Sequence, residues 1–126
     1  MGSPVVHFEI MGADGEALER FYGGLFGWRI EPVEETQGGY RIVHTDAGRG
    51  IDGGLGSFPG APAYTTVYVH APDLEASVAR AQELGGTVLA PPREVSPGVR
   101  AAILRDPEGH VIGLINGGAF DGSAGA

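Results

Sequence analysis

The chain has no cysteine, which excludes disulfide scaffolds, thiolate zinc sites and cysteine nucleophiles. Basic residues are scarce as well: 8 Lys and Arg stand against 16 Asp and Glu, a formal net charge of −8. Affinity for nucleic acid rests on Lys and Arg neutralising phosphates, and these eight form no cluster, so no nucleic-acid partner is expected. Long apolar runs are missing. The longest, such as residues 111–115, are strand-sized, far short of the roughly 20 residues that cross a bilayer as a helix, so no membrane partner is expected either. The N-terminus lacks a basic region followed by an apolar core, which leaves the cytoplasm as the expected location. Met1-Gly2 opens no myristoylation motif, because the sixth position is Val6 rather than Ser or Thr.

What is present suffices for one domain. A chain of 126 residues buries about two thirds of the surface it exposes when unfolded, and needs no disulfide or structural metal to do so. Its 23 glycines and 9 prolines, set against 42% hydrophobic residues, read as tight turns between short elements. Residues 117–126 lack periodicity and are rich in Gly and Ala, so they are expected to form a disordered tail.

The chain repeats itself. One constant shift carries the alternating strand pattern of residues 5–10 onto 64–69, Asp14 onto Asp73, and Glu16 onto Glu75. Each Asp is placed to cap a helix N-terminus, with the Glu in the first turn where the helix dipole favours it. The first helix carries Ala17, Leu18, Phe21, Tyr22 and Leu25 at helical spacing, and the second carries Leu74, Val78, Ala81 and Leu84. Gly27 and Gly85-Gly86 end them. Further strands are expected after the helices, at 28–30 and 87–89, then at 40–45 and 100–104, and finally at 51–58 and 110–116. The unit is βαβββ, twice, over modules 4–58 and 63–116 of a single 1–116 domain. Residues 58–62, with two prolines, read as a stiff connector.

These residues resemble the vicinal oxygen chelate superfamily of glyoxalase I, bleomycin-resistance proteins and extradiol dioxygenases. The carriers are the run from Asp14 through Phe21-Tyr22 to Leu25-Phe26-Gly27-Trp28, Asp73-Leu74-Glu75-Ala76-Ser77, and Asp106-Pro107-Glu108-Gly109-His110-Val111-Ile112-Gly113-Leu114. The resemblance covers nearly the whole chain and implies an α+β fold, two tandem βαβββ modules forming a half-open barrel with helices outside. It speaks for fold more than for chemistry, since the superfamily hosts several reactions on one scaffold. Whether the modules pair within a chain or swap between chains is open. Strand alternation assigns Val6, Phe8 and Ile10 to the helix side and His7, Glu9 and Met11 to the other; in the second copy Thr66, Tyr68 and His70 share the polar side.

The resemblance also implies metal-ligand positions on the first and last strand of each module. Here they read His7, Thr66, Gly113 and either Gly53 or Gly54. A neutral hydroxyl and two glycines make a poor set for a transition metal, so no metal and no cofactor are expected. His44 and His110 read as surface or turn residues. Ser57, Ser77 and Ser96 fit no nucleophile elbow, and the glycine runs at 48–50 and 53–54 precede no helix that would make a phosphate loop. No catalytic residue is assigned. The function expected is metal-free binding of a small apolar or aromatic molecule, in a resistance or sequestering role, with contacts from His7, Glu9, Thr66, Tyr68, His70, Tyr40 and Trp28. The alternative is a glyoxalase-type lyase, isomerase or dioxygenase, using either a relocated metal site or Glu9 and His7 as an acid-base pair. A homodimer is expected.

Overall fold

The computed structural model describes residues 2–33, 39–57 and 62–122. Most of the expected 58–62 connector lies outside them, as do residues 123–126. The chain forms two compact units, His7–Thr66 and Met1–Val6 with Val67–Ala126. The expected division at the connector is thus displaced into the first strand of each module. The cause is local: the Pro4 carbonyl accepts the His70 N–H at 2.9 Å, and Val6 packs in the second unit.

In the first unit the strands are β1 (Val5–Gly12), β2 (Arg29–Pro32), β3 (Arg41–His44) and β4 (Gly53–Ser57), with helix α1 (Gly15–Phe26) after β1. Their order is β2-β3-β4-β1. The first and last strands run parallel, pairing Glu9 with Gly54, and the others are antiparallel. Helix α1 starts where the sequence indicates: the Asp14 carboxylate accepts the Ala17 N–H at 3.0 Å, and Gly27 closes the helix at φ 70°. Val43 and Leu55, both fully buried, lie on the Phe8 and Ile10 side of the sheet by register.

The second unit repeats this plan with β5 (Tyr64–His70), whose residues 64–66 fall in the first unit, and with α2 (Leu74–Glu83), β6 (Thr87–Ser96), β7 (Val99–Arg105) and β8 (Val111–Asn116), ordered β5-β8-β7-β6. Again the first strand is parallel to the last, with Tyr68 opposite Gly113. Asp73 caps α2 through the Ala76 N–H at 3.0 Å. The strand expected to end near residue 89 continues to Ser96, through Pro91-Pro92, with three register shifts against β7. Prolines are tolerated there because β6 is an edge strand with one partner.

Two further expectations are corrected. Val6 packs on a cluster of Tyr68, Ala101 and Ile115 rather than with Phe8 and Ile10. The expected tail from Gly117 begins as ordered structure: a 3-10 turn, Gly118–Asp121, puts Phe120 on the same cluster, so an aromatic contact anchors a stretch whose Gly and Ala content suggested none.

Candidate functional site

Alternation along β1 turns His7 and Glu9 to one side of the sheet, and both are buried. A buried carboxylate and a buried imidazole need partners, because an unsatisfied polar group away from water costs about 1–3 kcal/mol or more. Tyrosines supply them. The Tyr40 hydroxyl donates to Glu9 Oε2 at 3.1 Å, and Tyr64, at the start of β5, donates to Glu9 Oε1 at 2.8 Å. His7 Nε2 lies 2.9 Å from the same Tyr40 hydroxyl. The first unit therefore holds a continuous chain, His7, Tyr40, Glu9 and Tyr64. Burial pushes the His7 imidazole down to about 4, against the opposing pull of the Asp52 charge, so the ring is neutral at ordinary pH.

The two candidate glycines at the first unit's last-strand position are now distinguishable. Gly54 is opposite Glu9 and shares its side of the sheet, whereas Gly53 is opposite Phe8. A Cβ at Gly54 would overlap the Tyr40 hydroxyl, and a Cβ at Gly53 would overlap the Phe8 ring. The second unit does the same with its own glycine: the Tyr68 ring lies across Gly113, where a Cβ would overlap it. These positions are closed by aromatic side chains.

That closure bears on the metal which the fold implies. Two of the four ligand positions have no room for a carboxylate, a third is the neutral hydroxyl of buried Thr66, and the His7 nitrogen facing Tyr40 is engaged in a hydrogen bond. Among the described residues, no three His, Asp or Glu side chains come together in a group that could hold a metal ion. The residues present do not fit such a centre.

The other expected site residues are distributed. Tyr68 is buried in the cluster with Ala101 and Ile115, where Val99, Ile103 and Phe120 also pack. His70 Nε2 meets Asp121 Oδ1 at 3.1 Å, and the same oxygen accepts the Gly117 N–H at 2.8 Å. These contacts, mainly the Gly117 N–H, hold the Asp121 carboxyl below the usual carboxylate range. Trp28 is not brought to His7 and Glu9. Its ring stacks on Tyr22 at 5.7 Å and meets Phe8 at 5.4 Å and Phe26 at 5.0 Å. His110 pairs with Asp106 at 3.0 Å in an exposed turn, where Asp106 also accepts the Glu108 and His110 N–H groups. The residue missed from sequence is Tyr64. It stands two positions before Thr66, so extending the alternation that selected Thr66, Tyr68 and His70 by one step would have found it. A groove of about 580 Å³ runs beside α2, lined by Ala76, Ala81, Leu84, Leu104 and Leu114 among others; it contains none of the expected site residues.

The family model for the glyoxalase-like domain matches residues 7–115. The chain belongs to that family. Solved structures share the fold. Streptomyces coelicolor methylmalonyl-CoA epimerase, solved with 2-nitronate-propionyl-CoA, is 21% identical at a TM-score of 0.64, covering 94% of this chain and 96% of that one. Methylmalonyl-CoA epimerase from Mycobacterium tuberculosis is 15% identical at a TM-score of 0.66, covering 90% and 87%. At these identities the likeness is one of fold. Among curated proteins, the anthracycline biosynthesis protein DnrV of Streptomyces peucetius is 30% identical over an alignment of 131 positions, gaps included, that covers 92% of this chain and 48% of that protein. The anthracycline biosynthesis protein DauV of Streptomyces sp. (strain C5) matches to the same extent. The chain thus spans about half the length of these curated relatives.

Proposed function

We infer that this glyoxalase-like chain binds a small aromatic molecule without a metal, in a sequestering or resistance role. The observation that carries the reading is the buried network of His7, Tyr40, Glu9 and Tyr64, built where the metal-dependent plan would need ligand side chains. Sites for small molecules combine apolar and aromatic walls with a few fixed polar groups that set orientation. Here a carboxylate held by two phenols and a neutral imidazole supply the polar part. The names of the relatives favour an aromatic ligand, because an anthracycline is a fused-ring aromatic compound. Long-range attraction from a net charge of −8 favours a ligand carrying positive charge, within the roughly 10 Å over which salt permits it.

A second reading is metal-free acid-base chemistry. It rests on the same network, since a neutral His7 joined to Glu9 through one phenol offers a path along which a proton can move. The relocated metal site is disfavoured by the donor set. The test is to offer zinc, nickel, iron and manganese separately to chelator-treated protein and follow thermal unfolding and metal content. The expected result is no stoichiometric metal and no shift. One equivalent of metal, lost in His7→Ala, would restore the metal-dependent reading.

The reading also includes a second copy of this chain as partner. Phe21, Leu25 and Phe26 on α1 are exposed, an apolar surface of the kind that association covers. We also propose a cytoplasmic location, which fractionation of producing cells checks.

A further inference from the structure

We propose that the second unit's sheet, on its face away from α2, holds a site for one planar aromatic ring, and that Phe120 fills this site as a built-in occupant on a strap latched by Asp121. The site goes beyond the binding reading above, which rests on residues of the first unit.

Strand pairing defines the face. Tyr68 lies opposite Gly113 and His70 opposite Ile115, which is itself opposite Ala101, and paired residues share one side of a sheet. Leu104 and Leu114 belong to the other side, where they line the groove beside α2. On the first side Tyr68, Ala101 and Ile115 are buried, and Phe120 packs on them. The Tyr68 ring lies across Gly113, so the floor of the site is one aromatic ring bordered by small and branched apolar side chains. Such a floor favours a flat ring, and Phe120 is the ring that the chain itself provides.

The strap is short and lightly held. It leaves β8 through Gly117, whose backbone packs so closely on the Gly98 carbonyl that a Cβ would overlap it, and this fixes its root. Beyond the root, Gly118 at φ 54° and Gly122 at φ 36° bracket Ala119, Phe120 and Asp121, in a conformation that glycine adopts without penalty. Asp121 is the latch: its Oδ1 accepts the Gly117 N–H at 2.8 Å and meets His70 Nε2 at 3.1 Å. The Asp121 side chain is 60% exposed, and exposed pairs of this kind contribute little. A single turn held by surface contacts and one ring therefore opens at lower cost than the strands beneath it. A ligand competing with Phe120 binds only the open form, so its apparent affinity is reduced by the open fraction. Shortening Phe120 or removing the latch lifts that penalty.

The test titrates 2-naphthol, an uncharged two-ring aromatic probe, into the full chain carrying ¹³C-labelled Ala and Ile methyl groups. Phe120→Ala and Asp121→Ala are each expected to bind the probe about tenfold or more tightly than wild type, shifting the methyl signals of Ala101, Ile103 and Ile115. Amide hydrogen exchange gives a readout that needs no probe. The Phe120 and Gly122 N–H groups, bonded to the Gly117 and Ala119 carbonyls, are expected to exchange faster than those of β8 in wild type, and faster again in Asp121→Ala. Equal affinity in all three proteins, or shifts confined to other residues, overturns the proposal. So do strap amides as protected as those of β8 in wild type, which would make Phe120 a permanent part of the core. If Phe120→Ala does not fold, Asp121→Ala, which alters an exposed side chain, decides it. The binding reading is decided separately, by metal-free anthracycline binding that Glu9→Gln weakens.

Discussion

Gly54 and Gly113 show how a residue with no side chain can define a site. Each lies under a tyrosine, Tyr40 in one case and Tyr68 in the other, so the two positions are glycine because the space is occupied. Gly54→Ala is expected to push the Tyr40 hydroxyl off His7 and lower stability by about 1–3 kcal/mol, the range for overpacking; urea unfolding compared with wild type measures it. His7 makes a second prediction, through its lowered pKa. As pH falls, the unfolded chain takes up this proton near the ordinary value of 6.5, while the folded chain resists until about 4. Stability is therefore fully present above pH 6.5 and declines toward pH 4, by about 3 kcal/mol if the full shift is expressed. His7→Gln should flatten that part of the pH profile, and a profile with the same slope in both proteins would contradict the assignment.

The elements follow from rules that act over a few residues, and these were the most legible. Asp14 and Asp73 cap their helices through the backbone N–H three residues on, so Asp14→Ala and Asp73→Ala should each lower stability by about 1 kcal/mol, as read by thermal melts. The repeat was legible for the same reason: capping Asp, apolar helix positions and following strands recur at one shift, and both units pair their first strand parallel to their last. What sequence did not disclose depends on tertiary partners. Trp28 was expected among the ligand contacts, whereas its ring packs on Tyr22 and Phe8. Tyr40 was expected at the start of a strand and among the ligand contacts; it sits just outside β3, and its place between His7 and Glu9 depends on Gly54 lying opposite Glu9. The extension of β6 through two prolines was hidden because an edge strand tolerates residues that a central one does not.

The chain spans about half the length of the curated relatives it matches, so what those proteins do bears on this one only as a proposal. The exposed Phe21, Leu25 and Phe26 predict self-association: light scattering should return twice the monomer mass, and Phe21→Glu with Leu25→Glu should return the monomer. A monomeric wild type removes the second copy from the account. The central claim is that a tyrosine-held carboxylate and a neutral histidine replace the metal. Calorimetric titration of an anthracycline into the chelator-treated chain, repeated with zinc present and with Glu9→Gln, tests it most directly. The account predicts binding of equal affinity with and without zinc, weakened about tenfold or more in the variant, the loss that follows from removing a charged hydrogen-bond partner. Binding that appears only when zinc is added, or an affinity unmoved by Glu9→Gln, would contradict it.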